Sequence, residues 1–208
     1  MYITIFTLII LLFSLIIHEI AHGSMALRLG DYTAKRQGRL TLNPLKHLDP
    51  LGSVILPLLL VISYSLSGIR GPIVGWAKPV PVNPFNFRDQ KWGGLKVALA
   101  GPAANLIIGL VFGLAIRFFN LPEQLSLLFG IIVTYNFLWA IFNLLPIPPL
   151  DGSWILFNIL PAKAAELEAF LRQYGIIILI GFIFFGLEFL YRAAIFLYFF
   201  VAGSSPLN

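Results

Sequence analysis

The chain has 208 residues, 59% hydrophobic and only 11% charged. An average soluble domain is about 45–50% apolar and about 25% charged, so a soluble globular protein is excluded, and so is a disordered chain, which would be poor in aromatic and aliphatic residues. The net charge is +5 and there is no cysteine, which removes disulfides, zinc fingers, iron–sulfur sites and thiol nucleophiles and leaves His, Asp, Glu and backbone as metal ligands.

The first apolar run, Met1–Ile17, continues through His18, Glu19 and His22 to about residue 29. It is long enough for a spanning helix over 2–29, since the hydrocarbon core needs roughly 20 residues. No basic residue precedes Arg28, so it lacks the n-region of a cleaved signal peptide. His18 and His22 stand at i and i+4, which puts both imidazoles on one helix face. That spacing lets two neutral ring nitrogens bind one zinc, and Glu19 is close enough to take a proton from metal-bound water. Ionisable side chains inside a membrane helix cost at least about 2.5 kcal/mol each, so the cluster calls for a compensating partner, and a metal ion is the favoured one. An accidental motif match is the bland alternative. With a helix starting near residue 2, His18 lies about 24 Å along it, within a core of about 30 Å.

Segments 28–49 (Arg28, Lys35, Arg36, Arg39, Lys46) and 70–96 (Arg70, Lys78, Arg88, Lys91, Lys96) are both basic, and nothing before Arg28 is. The bias of Lys and Arg toward the cytoplasm predicts an outside N-terminus, with both segments inside. The basic residues are scattered and form no tract, so no nucleic-acid partner is expected. The apolar run Leu51–Ile69 between the two basic segments is therefore expected to dip into the membrane and return, a plain span being the alternative. The stretch 73–90 is expected to be extended: Pro79, Pro81 and Pro84 remove donors and push their neighbours out of the helical region. Trp76 suits the membrane interface.

Helices are predicted over 95–119, 124–147, 152–160 and 173–202. The last is about 45 Å long and exceeds the bilayer core, so it must tilt, kink or protrude. Within it Glu188 and Arg192 can pair at i, i+4 or serve a substrate gate. Glu166 and Glu168 are read as solvated loop charges. The fold class is an all-α polytopic membrane protein, a single domain over 1–208, with about four to six transmembrane or re-entrant helices and a small extended or β element at the membrane edge.

A catalytic zinc needs three protein ligands plus water. Asp151 stands out as the third: it ends a long apolar run, precedes Gly152, and follows Pro146, Pro148 and Pro149, which break the helix near the membrane face. Capping the following short helix is the alternative role. His47 is the runner-up ligand, more naturally a loop or interface histidine.

His18-Glu19-x-x-His22, Gly101-Pro102-Ala103-Ala104-Asn105 and Asn143-x-x-Pro146-x-Pro148-x-x-Asp151-Gly152 together resemble the site-2 protease family of intramembrane zinc metalloproteases, in that family's order and across roughly residues 10–160. The stretches 38–52 and 76–81 look like its short bacterial or archaeal branch. The resemblance implies one Zn2+ on His18, His22 and Asp151, with Glu19 as base. It implies that Asn143 orients substrate backbone or stabilises the oxyanion. Asn105 does the same or holds helices together by a hydrogen bond beside small residues. The extended stretch would receive an unwound substrate as a strand. Against that family's pattern, no PDZ or CBS domain and no helix before the His-Glu motif is expected, and the run 51–69 is extra.

The implied function is hydrolysis of peptide bonds in transmembrane segments of membrane proteins, in the cell membrane and nearer the cytoplasmic face. A metal-binding membrane protein that holds transmembrane partners without cutting them is the alternative. A small transporter is a third reading, disfavoured by the absence of repeats. Substrate identity and oligomeric state are left open.

Overall fold

The computed structural model describes residues 2–68 and 78–203. Among them are helices α1 (Tyr2–Arg28), α2 (Thr33–Arg36), α3 (Leu56–Ser67), α4 (Gly93–Phe118), α5 (Glu123–Asn143), α6 (Asp151–Ile159) and α7 (Ala165–Ala202). Helices α1, α4, α5 and α7 are long and apolar enough to cross a membrane. The protein is an all-α polytopic membrane protein, with no β-strand among the described residues.

Helix ends follow local chemistry. Asp89 accepts from the N–H of Trp92 and pairs with Lys96 just ahead of and inside α4. Helix α5 opens on Glu123, where the helix dipole favours an acid. It stops at Asn143 rather than 147, because Pro146 has no N–H and forces its predecessor out of the helical region. Helix α7 begins at Ala165, ahead of the expected 173. Glu166 and Glu168 are not loop charges: both lie in its first turn, and Glu168 pairs with Arg172 at 2.7 Å. An apolar run alone marks where a helix becomes membranous, not where it starts.

Helix α4 is central and packs against α1, α5, α6 and α7. Close approach is built on small residues. A Cβ on Gly109 would run into the Phe137 ring, and one on Gly113 would come within 2.8 Å of Val201. Val133, Phe137, Ala194, Tyr198, Val201 and Ala202 fill the seam between α5 and α7. Outside it, Phe184, Phe185, Phe196 and Phe200 are exposed, as suits a surface whose solvent is lipid. The 38 residues of α7 amount to about 57 Å. Glu188 and Arg192 form the expected pair at 2.9 Å, on an exposed face.

The run after Asp49 is helical, as a π-helical segment Pro50–Ile55 followed by α3, which ends on Gly68 at φ 69°. Helix α3 by itself covers about 18 Å, short of a core of about 30 Å. The return limb expected beyond it, and the part of the extended stretch that holds Trp76, lie outside the described residues.

Residues 78–83 carry neither helix nor strand, and Asn83 is extended. The prolines leave few N–H groups for a ladder, and those of Lys78, Val80 and Asn83 bond to side chains or a loop carbonyl instead. Lys78 N–H donates to the His47 carbonyl at 2.9 Å, and Asn83 N–H to Asp31 at 2.7 Å. The segment forms a strap across the C-terminal part of α1.

Candidate metal centre

His18 and His22 project from the same face of α1 and are buried, 3% and 9% exposed. Their Nε2 atoms are 3.0 Å apart. Helix α4 runs antiparallel to α1 along this face. A Cβ on Gly101 would strike both imidazoles, so the α4 backbone itself forms the wall behind them. That is the physical content of the glycine in the Gly101–Asn105 motif.

Asp151 enters from the other side. The chain leaves α5, turns through the prolines, and starts α6 on Asp151. The turn folds so tightly that a Cβ on Gly152 would collide with the carbonyls of Leu144 and Leu145. The carboxylate does not cap α6. Its Oδ2 lies 3.0 Å from Nε2 of His18 and 3.2 Å from Nε2 of His22.

The protons on the two rings are settled by what stands behind them. Nδ1 of His22 donates to the Val97 carbonyl at 2.7 Å. Nδ1 of His18 donates to Oδ1 of Asn105 at 2.8 Å. The orientation of that amide is set by its NH2 group, which donates to the Ser14 carbonyl at 3.2 Å and to Oδ1 of Asn136 at 2.9 Å. Asn136 in turn donates to the Ile132 carbonyl at 2.9 Å. In the neutral rings a proton on each Nδ1 leaves a lone pair on each Nε2.

Three acceptors thus converge within 3.0–3.2 Å, and the buried Oδ2 of Asp151 has no hydrogen-bond donor. Such a cluster repels itself unless a cation lies among it. Two imidazoles and a carboxylate without sulfur suit zinc among the common metals. His18, His22 and Asp151 are the one group of this kind among the described residues.

Peptidase family M50 is the family whose model matches, over residues 120–185, which carries Asn143 and Asp151. Among curated relatives, the "Putative zinc metalloprotease YwhC" of Bacillus subtilis is 37% identical over 182 residues, covering 83% of this chain and 77% of that one. The chain belongs to peptidase family M50. The "Putative zinc metalloprotease Rip2" of Mycolicibacterium smegmatis is 36% identical, over 86% of this chain and 67% of its own. The protein of the same printed name from Mycobacterium tuberculosis strain H37Rv is 30% identical over 81% of this chain and 62% of its own. No solved structure matches the chain.

The remaining residues singled out in this M50 chain sort by position. Glu19 lines a cavity of about 450 Å³ together with His18, His22, Asn143 and Asp151. Its Oε2 accepts from Val80 N–H of the strap at 2.8 Å. Asn143 donates one amide hydrogen to the Trp139 carbonyl at 3.0 Å and lines the same cavity. Asn105 stands behind His18, is not among the residues that line the cavity, and bonds to groups of α1 and α5. His47 does not join the cluster. It is buried elsewhere, with Nε2 on the Thr41 carbonyl at 2.8 Å.

Sequence reasoning missed Asn136, although a carboxamide in the apolar run 124–150 was a signal for it. It had no signal for Val97, which acts through its backbone carbonyl.

Proposed function

We propose that this M50 protein is an intramembrane zinc endopeptidase that hydrolyses peptide bonds within or near transmembrane segments of other membrane proteins. The observation that carries the reading is the three-acceptor cluster with Glu19 on the same cavity, among helices apolar enough to span a membrane. His18, His22 and Asp151 hold the ion. Bound there, zinc supplies Lewis acidity toward the scissile carbonyl and lowers the pKa of water toward about 7.

Glu19 takes a proton from the attacking water and delivers it to the amide nitrogen as the C–N bond breaks. Atoms balance: one peptide and one water give one acid and one amine. Asn143 lines the same cavity and orients substrate backbone. A helical substrate must unwind first, because its carbonyls are otherwise hydrogen-bonded, and the extended strap beside Glu19 offers a surface along which an unwound segment can lie.

The basic loops favour an outside N-terminus and a centre nearer the cytoplasmic face of the cell membrane. The partners are a transmembrane protein substrate and the bilayer. No nucleic acid takes part.

The test uses the full chain in detergent with a transmembrane substrate. Zinc co-purifies, a chelator stops cleavage, and Glu19→Gln keeps the metal while the rate falls by about 10²–10⁴. Metal without any cleavage would instead leave a metal-binding membrane protein that only holds transmembrane partners.

A further inference from the structure

Arg39 is buried, 5% exposed, in the loop between α2 and α3. It pairs with no carboxylate among the described residues, and its Nε has no hydrogen-bond partner. A guanidinium so placed pays a desolvation cost without a counter-ion. What it does hold is backbone: Nη2 donates to the Lys78 carbonyl at 2.7 Å and to the Pro79 carbonyl at 3.2 Å. These carbonyls lead directly into Val80, whose N–H is bonded to Glu19.

We infer that Arg39 is a positioning residue for Glu19, acting through the strap. The inference rests on the proteolytic reading of Glu19 given above. Four observations converge on it. In Pro79-Val80-Pro81 only Val80 has an N–H, so the strap has one donor to offer at this point. The flanking prolines fix φ at 79 and 81, which leaves fewer dihedrals to absorb a displacement at 78–79 before it reaches Val80. The other end of the strap is anchored on buried Asp31, which accepts from Asn83 N–H and from the Asn86 side chain. Finally, Gly23 lies one turn beyond Glu19. A Cβ there would come within 2.7 Å of Val80 and 2.6 Å of Leu40, the neighbour of Arg39. The strap is pressed onto α1 as closely as glycine permits.

The consequence is chemical. Oε2 of Glu19 is committed to Val80, and Oε1 has no hydrogen bond among the described residues. One oxygen is tethered and the other is available for a proton. Releasing the strap lets the carboxylate sample other rotamers, and misplacing a reacting group by about 1 Å costs about 100-fold in rate.

The test compares Arg39→Gln, Arg39→Lys and Gly23→Ala in the full chain, reading bound zinc, hydrogen exchange over residues 78–83, and kcat with KM. Arg39→Gln should keep its zinc, exchange faster at Val80, and lose about 100-fold in kcat with KM little changed. Arg39→Lys should recover part of the loss. Gly23→Ala should move exchange and kcat the same way without touching Arg39. Faster exchange with unchanged kcat overturns the role, and so does loss of zinc in step with activity, which would make Arg39 a support of the fold. Glu19→Ala should also speed exchange at Val80, and this arm needs no cleavage. A wild type that cuts nothing therefore overturns the proteolytic reading, whereas unchanged exchange in Glu19→Ala overturns the tether itself.

Discussion

Oδ1 of Asn105 accepts a 2.8 Å hydrogen bond from Nδ1 of His18, across 87 positions of sequence. A carboxylate often stands behind a metal-binding histidine; here it is a carboxamide, oriented by a second carboxamide. A neutral relay of this kind sets the tautomer without placing another charge in the membrane.

Asn105→Leu should therefore weaken zinc binding by about 10–100-fold, the usual effect of losing such a support. Asn136→Leu should weaken it less, because the Ser14 carbonyl still orients the Asn105 amide. Competitive zinc titration against a chromophoric chelator checks both, and equal affinity for all three proteins would remove the relay from the account.

Asp151 should set how strongly metal stabilises the fold. At a zinc concentration of about 100 Kd the wild type gains about 2.7 kcal/mol, while Asp151→Ala should gain far less. With chelator present the order should differ for Asp151→Asn. Its amide can donate to an Nε2 lone pair, so it should melt above the wild type. Thermal melts with and without zinc read both effects.

Gly101→Ala should be costly beyond its size. The added methyl has no room between α4 and the two rings. Overpacking of this sort costs about 1–3 kcal/mol, and here the displaced groups are the ligands, so zinc should be lost along with stability. Gly181, whose Cβ would meet nothing within 4 Å, provides the control: Gly181→Ala should keep its zinc and lose no stability.

Asp31 governs the acid limb of strap stability. Burial pushes its carboxyl upward, but hydrogen bonds from Asn83 N–H, from the Thr33 hydroxyl and N–H, and from the Asn86 side chain outweigh that and leave the group below its ordinary value. A lowered folded value means that the ionised form is bound more tightly in the folded state. Its contribution is present above the unfolded value of about 3.9 and disappears as pH falls through the folded one. Asp31→Asn should destabilise the protein at neutral pH by about 1–3 kcal/mol, and the gap to wild type should close below about pH 4. Melting temperatures between neutral and acid pH decide it.

Much of the site was open to sequence reasoning because its signals are local or restrictive. Three charged or titratable side chains within five positions of an apolar helix leave few explanations, and with only three histidines and no cysteine the pool of further ligands is small. Asp151 was identifiable from the prolines that precede it. The start of α7 was not, because helix formation at Ala165 depends on end charges and an i, i+4 pair rather than on hydropathy. The β character expected of the extended segment did not materialise among the described residues, since a strap short of N–H groups takes side-chain partners instead of a ladder.

By itself, the sequence determined that this protein belongs in a membrane and that two imidazoles share one helix face, because burial preference and a rise of about 1.5 Å per residue act over short distances. Only the tertiary structure decided which nitrogen of each ring is free, that the Asp151 carboxylate meets them, and that a glycine-thin helix backs them. Those outcomes depend on how α1, α4 and α5 pack, and on backbone carbonyls such as that of Val97, which every residue type carries alike and no sequence pattern marks.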